Sequence, residues 1–337
     1  MVERPALRSS GPEHTGSDTM LSVAESKIKP AGGGPAGRGR RRGMLILVAG
    51  ALLTALMAGH RLIPNVRGLG SLVDSGAPFL GLGIPLLVLA AALRRSRIAL
   101  AGALVPAVLW AVLFGTAWLP GGGGGSVRLR VASQNLRAGN PDPASTLAGL
   151  ADTDADLIGL QEVSGDTRVP AAGALAERYP YRAAVSTVAL WSRFPIREDV
   201  GVDTGLAWTR ALRAVVAAPG GDVVVYVVHL GSARAGDTGT RDRTVSALAT
   251  QIRQDPAERL IVLGDLNTAT TDRMIEPLTA LLNDAQADAG RGPGFTWPAA
   301  LPVTRPDHVL YRGLTAAYAG VVRTPASDHR AVTAGFR

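Results

Sequence analysis

Three uncharged apolar runs in the first 120 residues constrain this chain more than any other feature. They are Met44–Gly59, Gly76–Leu93 and Ile98–Leu119. The last two each come close to the ~20 apolar residues that a helix needs to cross a bilayer, and the first reaches that length if it extends to Ile63. Pro85 and Pro106 lie inside the second and third runs. Proline breaks a soluble helix but is tolerated where helices pack within a membrane. The runs are therefore read as three transmembrane helices. Two alternatives are a buried soluble helical domain and a first run that is a cleaved signal peptide behind its basic flank. In the second case the other two runs still anchor the chain.

Charge sets an expected orientation. Residues 1–43 are rich in glycine, proline, serine and charge, lack apolar periodicity, and read as a disordered basic tail ending in Arg38, Arg40, Arg41 and Arg42. The connection between the second and third runs holds Arg94, Arg95 and Arg97, whereas Arg61 and Arg67 are spread over the longer first connection. Placing the two richer segments in the cytoplasm puts the N-terminus inside and everything after Pro120 outside. Gly121–Gly125 read as a flexible linker at 121–126, and a second domain is expected over 127–337.

The net charge of +8 looks at first like a nucleic-acid signature. Its distribution says otherwise: residues 1–120 carry 13 basic and 5 acidic side chains, and residues 121–337 carry 22 of each. The second domain thus has no overall attraction for a polyanion, although a local basic groove is compatible with this balance. The chain has no cysteine, which excludes disulfides and thiolate metal sites.

From Val127 onward strands and helices alternate. Strands are expected at Val127–Asn135, Asp156–Gln161, Ala184–Trp191, Leu260–Gly264, His308–Tyr311 and Ala331–Phe336. Ala211–Ala217 and Asp222–His229 are expected to pair through the Pro219–Gly221 turn. Helices are expected at Pro143–Ala151, Ala171–Tyr179, Thr240–Arg253 and Asp272–Leu282. Mixed elements with adjacent strand pairs predict an α+β layered sandwich.

Polar residues sit where the apolar strands end. Asn135, Gln161 with Glu162, and His229 each close a strand; Asp265 and Asn267 follow Ile-Val-Leu-Gly; Asp307 precedes His308-Val-Leu-Tyr; Asp328 and His329 precede Arg330-Ala-Val. Strand ends can gather distant residues into one cleft. Carboxylate and amide oxygens suit a hard cation such as Mg²⁺, with Mn²⁺ as a substitute. One imidazole can take a proton from water, and a second can stabilise charge on a phosphoryl oxygen. Together these are the parts of a metal-assisted phosphoester hydrolase. Taken singly, each has a plainer reading as a turn former, a helix cap or a hydrogen-bonded histidine.

Their order resembles a known family. Gln134-Asn135, Leu160-Gln161-Glu162-Val163, Trp191-Ser192-Arg193-Phe194-Pro195-Ile196, Val228-His229-Leu230, Leu263-Gly264-Asp265-Leu266-Asn267, Pro306-Asp307-His308-Val309 and Ser327-Asp328-His329 occur in the order found in the endonuclease/exonuclease/phosphatase superfamily. That group takes in DNase-I-like nucleases, inositol-polyphosphate phosphatases and sphingomyelinases. The resemblance implies a four-layered α/β sandwich of two packed mixed sheets. It implies that Glu162 binds the metal with Asn135 beside it and that Asp328 contributes to the metal site or its shell. By the same resemblance His329 is the general base, Asp307 orients its ring, His229 stabilises the transition state, Asp265 aligns the nucleophile and Asn267 holds a phosphate oxygen. His308 is expected to be structural, and Arg193 and Arg213 are candidates for supporting ion pairs. His14 and His60 lie outside the domain.

The expected function is a membrane-anchored, metal-dependent phosphoesterase, with the enzyme domain outside the cytoplasm. Its substrate would be a nucleic acid, a phospholipid headgroup or a small phosphorylated molecule, and no protein partner is implied. A balanced, arginine-only domain with few aromatics fits a lipid or small-molecule substrate at least as well as a polynucleotide. A catalytically silent ligand-binding module on the same fold is the alternative. A sensing or transport role for the helices finds little support, because the three runs hold no charged residue.

Overall fold

The computed structural model describes residues 35–234 and 236–337, so the expected basic tail lies mostly outside the described residues. The first helix, α1, runs Pro35–Gly59 and takes in residues 35–43, which composition assigned to that tail. It is followed by α2 (Leu69–Gly76), a 3₁₀ stretch (Ala77–Leu82) and α3 (Gly83–Arg94). Arg95 ends α3 in the left-handed conformation, and Ser96 caps α4 (Arg97–Phe114) by accepting from Ala99 N at 3.3 Å. Three segments are long and apolar enough to span a bilayer: Gly43–Leu62, Val66–Arg94 and Arg97–Trp118. The second starts ten residues earlier than its uncharged run and so includes Asp74. Trp110 of α4 donates to Pro78 O at 2.7 Å, which ties the third apolar segment to the second.

The rest of the described chain forms two six-stranded sheets. The first has the order β11-β12-β1-β2-β4-β3 and the second β5-β6-β7-β8-β10-β9. In the first sheet these strands are β1 (Leu129–Asn135), β2 (Leu157–Gln161), β3 (Tyr181–Val185), β4 (Val188–Ser192), β11 (Ala316–Val322) and β12 (Ala331–Phe336). In the second they are β5 (Ile196–Gly201), β6 (Ala211–Ala218), β7 (Gly221–His229), β8 (Leu260–Asp265), β9 (Asn283–Asp284) and β10 (Asp307–Arg312). Leu129, Val131, Leu157 and Leu190 of one sheet pack with Leu212, Val225, Val227 and Leu263 of the other. On the outside, α5 (Pro143–Ala151) and α6 (Gly165–Leu175) cover the first sheet through Leu147, Leu150 and Leu175. α7 (Gly239–Gln254) and α8 (Glu276–Thr279) cover the second through Val245, Leu248 and Leu278. A short helix, α9 (Ala285–Ala289), precedes β10. The result is the expected four-layered sandwich behind three apolar helices.

Two crossovers explain why the polar strand ends meet. β1-α5-β2 and β7-α7-β8 each join parallel neighbours, one in each sheet. The carboxyl ends of all four strands therefore point to one end of the sandwich, where open α/β sheets place their ligands. The antiparallel β10 begins at that same end, with Asp307 directly opposite Asp265.

Several elements differ from expectation. Ala184–Trp191 is not one strand but the heart of a hairpin, β3–β4, turned at Ser186 with φ +52. The helix expected at Ala171–Tyr179 starts earlier, at Gly165, because Ser164 and Thr167 form a capping box there. Asp272–Leu282 breaks into a 3₁₀ turn (Arg273–Ile275) and the short α8. The glycine run read as a flexible linker lies along the domain instead. Gly121 N donates to Gly290 O at 2.7 Å, and a Cβ there would meet Ala289 N and Asp288 O at 2.7 Å. Its glycine serves close backbone approach.

The connection between the first two apolar segments, together with the ends that flank it (residues 60–74), is seated on the domain. Arg273 donates from Nη2 to Asp74 Oδ1 at 3.0 Å and from Nη1 to Ile63 O at 2.8 Å. His60 Nδ1 lies 2.7 Å from Asp74 Oδ1. Arg241, fully buried, donates to Ser71 Oγ at 2.7 Å and to Asp272 Oδ2 at 2.8 Å. A buried charge persists only when it is paired in this way.

Candidate active site

Seven of the eight residues singled out in the sequence are tied together by direct contacts or by a shared partner. Asn135, at the end of β1, donates from Nδ2 to Glu162 Oε1 and to Asp265 Oδ2, both at 3.1 Å. Its Oδ1 accepts from Arg137 N at 2.9 Å. Asn135 thus stands beside Glu162 and clamps two carboxylates from different sheets. Glu162 follows β2 in the left-handed conformation, φ +57, which swings its carboxylate back over the strand end, where Ala138 N donates to it. It is more accessible than Asp265 or Asp307.

Asp265 and Asn267 follow from one backbone device. Gly264 has φ +146, and a Cβ there would lie 2.0 Å from Val228 O, so only glycine brings β8 this close to β7. Asp265 Oδ1 then accepts from Asn267 N at 2.8 Å, and Asn267 Nδ2 donates to Leu230 O at 3.1 Å. Burial and the neighbouring Asp307 push the Asp265 carboxyl up to about 7, against the opposing pull of His329.

His329 Nδ1 is 2.8 Å from Asp307 Oδ2, and that oxygen also accepts from Thr296 Oγ1 at 2.6 Å. Burial alone would lower the imidazole pKa. The charge and hydrogen bond of Asp307 outweigh it, Asp265 and Asp328 add to the effect, and His329 rises to about 10. His229 goes the other way: burial first, then Arg210 and His329, hold it down to about 3, so it is neutral at pH 7. Its Nε2 is 3.7 Å from both Glu162 Oε1 and Asp265 Oδ2.

Arg210 is the residue that the sequence reading missed. Its backbone carbonyl accepts from His229 N, its guanidinium lies against the His229 ring, and Trp208 stacks on it at 4.8 Å. Burial lowers its pKa, and the charges of Asp265 and Glu162 oppose that without overcoming it. The arginines proposed instead lie elsewhere. Arg193 pairs with Asp154 and Asp156 at the opposite end of the first sheet, and Arg213 pairs with Asp255 on the outer side of the second. His308 is structural, as expected: its Nε2 meets Thr268 O at 2.9 Å and steadies the loop that carries Asn267.

The site fits a hard cation. Glu162, Asp265 and Asp307 converge with His329, and one ligand atom each from Asp265, Asp307 and His329 falls within 4.8 Å of the others. His329 Nδ1 and Asp307 Oδ2 are committed to each other, and the oxygens of Glu162 and Asp265 accept from Asn135 Nδ2, Ala138 N and Asn267 N. Two buried carboxylate oxygens, Asp307 Oδ1 and Asp328 Oδ1, have no hydrogen-bond partner among the described residues. Acids crowded enough to push a carboxyl toward neutrality are short of positive charge, which a divalent ion supplies. Asp328, expected to contribute to the metal site or its shell, makes no side-chain hydrogen bond among the described residues; its backbone oxygen accepts from Ala299 N at 2.7 Å.

Comparisons with known proteins agree with this architecture. The sandwich is similar to a humanised D. rerio TDP2 carrying 14 mutations (19% identity, TM-score 0.54, 62% of this chain and 98% of that one). It is also similar to the mannosyl-6-phosphatase Bt3783 of Bacteroides thetaiotaomicron (16%, TM-score 0.55, 62% and 99%). A third similar structure is an endonuclease/exonuclease/phosphatase from Bacteroides vulgatus (16%, TM-score 0.54, 62% and 98%). At these identities the likeness speaks to the fold. No curated protein sequence matches the chain. The sequence profile of the endonuclease/exonuclease/phosphatase family matches residues 132–329, from β1 to His329, and the chain belongs to that family.

Proposed function

We propose that the sandwich hydrolyses a phosphoester with the help of Mg²⁺ or Mn²⁺, and that the three apolar helices hold it at a membrane. One observation carries the reading: a His–Asp pair, a neutral histidine backed by arginine, and a carboxylate cluster short of positive charge share one strand-end site. Glu162 and Asp265 would hold the ion, with Asn135 fixing their spacing. When bound, the ion supplies positive charge to the phosphoryl oxygens.

The chain's own groups do the rest. His329 takes the proton of the attacking water at Nε2 while Asp307 keeps Nδ1 protonated. The water oxygen bonds to phosphorus, and the bond from phosphorus to the leaving oxygen breaks. His229 and Arg210 face the charge that builds on the phosphoryl group, and Asn267 positions one of its oxygens. The full chain in detergent should cleave a chromogenic phosphodiester or phosphomonoester, lose that activity to a chelator, and lose it in His329→Ala. Activity that survives both treatments would overturn the mechanism. A silent binding module is disfavoured by the intact His329–Asp307 pair.

We place the domain outside the cytoplasm. The arginine distribution favours this, and the seating of the first connection on the domain is compatible with three crossings, which put both on one side. Because the chain has no cysteine, Glu177→Cys introduces a single exposed thiol. A membrane-impermeant maleimide should label it in intact cells; labelling only after lysis would reverse the orientation.

A further inference from the structure

The domain meets the anchor with the end that carries the candidate site. Asp242, at the start of α7, accepts from Asn65 Nδ2 at 3.4 Å; Arg273, six residues past Asn267, holds Asp74; and Phe295, twelve residues before Asp307, packs on Phe79 at 5.9 Å. A soluble substrate gains nothing from a site turned toward the bilayer.

Between the helix ends and the sandwich lies a cavity of about 510 Å³, within the range of about 300–1,000 Å³ usual for small-ligand sites. Leu113, Phe114 and Trp118, at the outer end of the third span, form its anchor wall, and Phe295 and Val303 form its domain wall. No candidate site residue lines it, so it lies beside the site and not over it. Two of its walls, 269–271 and 303–305, are nevertheless the segments that carry Asn267 and Asp307. Arg61 also lines it, half-exposed and held only by a 3.4 Å contact to Glu276. The exposed wall surface is mostly apolar, with Arg61 and Arg305 at its polar margin, and it lies where the third apolar helix ends, so a hydrocarbon chain can enter from the bilayer side.

We propose that the substrate is a phosphoester of a membrane lipid, drawn from the leaflet beneath the domain. The first part of its hydrocarbon lies in this cavity and its phosphoryl group reaches the site of His329 and Asp265. This rests on the phosphoesterase reading and adds the substrate class.

The test uses the full chain in mixed micelles with Mg²⁺ and a series of p-nitrophenyl alkyl phosphate diesters, from ethyl to dodecyl. Each methylene taken into an apolar site is worth a factor of roughly four, so kcat/KM for the dodecyl ester should exceed that for the ethyl ester by at least about tenfold. Ala117→Phe and Ala287→Phe fill the cavity and touch no candidate site residue. They should shrink the dodecyl advantage several-fold and leave the ethyl rate unchanged. Equal rates for ethyl and dodecyl esters in the unmodified chain would overturn the lipid assignment, as would a chain-length preference that both filled variants retain. Failure to cleave either ester, or p-nitrophenyl phosphate, with Mg²⁺ or Mn²⁺ would instead overturn the phosphoesterase reading and the lipid assignment with it.

Discussion

His329 Nδ1 lies 2.8 Å from Asp307 Oδ2, and Thr296 Oγ1 donates to the same carboxylate oxygen. The pair fixes the ring so that Nε2 is the nitrogen left to exchange a proton. Asp307→Asn keeps the shape but favours the wrong tautomer, so kcat should fall by about 10³–10⁴-fold while thermal stability changes little. His329→Ala should cost about as much, and the double variant should be hardly slower than either single one, because the two act as a unit. Steady-state rates on a chromogenic phosphodiester decide it. Additive losses would show that they act separately.

Arg210 offers a second, independent handle. Its guanidinium lies against His229, and its positive charge helps hold that imidazole neutral. Removing a like charge raises a histidine pKa, so Arg210→Ala should move His229 upward, as read by NMR titration of the ring. The same variant should lower kcat by about 10²-fold, the scale of one lost oxyanion donor. An unchanged kcat would confine Arg210 to a structural role.

What the sequence showed and what it hid follow from burial. β1, β2, β7 and β8 are buried along most of their length, so their polar ends stand out in the sequence: Asn135, Glu162, His229 and Asp265 respectively. β5 reads Ile-Arg-Glu-Asp-Val-Gly, an edge strand exposed along nearly its whole length, and carries no apolar periodicity to find. Arg210 sits in the loop between that strand and β6, where only its three-dimensional placement opposite His229 marks it. Arg193 and Arg213 looked equivalent to it in sequence, yet their partners Asp156 and Asp255 come from distant turns that no local pattern connects. Ser71 and Asp74 lie just before the second uncharged run and carry no motif; Arg241 and Arg273 show that they seat the domain.

The elevated pKa of His329 has a consequence for metal binding. Without a cation, Asp307 and Asp265 keep the ring protonated up to about pH 10, a state that cannot act as a base at neutral pH. A divalent ion among the same carboxylates adds positive charge nearby and favours the neutral ring. Mg²⁺ should therefore lower the His329 pKa by about 2 units or more, seen as a shift of its ring NMR signals between chelator and saturating Mg²⁺. A pKa that ignores Mg²⁺ would place the ion elsewhere.

Asp255 tests the fold away from the site. Its carboxylate accepts from Arg213 Nε at 2.6 Å, from Tyr226 OH at 2.7 Å and from Ala257 N at 2.9 Å. Burial acts to raise its pKa, but these bonds and the Arg213 charge outweigh it and lower the carboxyl to about 2. A folded-state pKa below the unfolded value means that the native state holds fewer protons. The contribution is therefore complete above the unfolded value near 3.8 and is lost as pH falls toward about 2. Its size, discounted for solvent screening, is about 1–2 kcal/mol. Asp255→Asn removes the titrating group, so its unfolding midpoint should be lower than that of the unmodified chain at pH 6, and the gap should narrow between pH 4 and pH 2. Chemical unfolding of the full chain in detergent, followed by tryptophan fluorescence, measures both. A gap that stays constant across that range would mean that the Arg213–Asp255 contact contributes through packing alone.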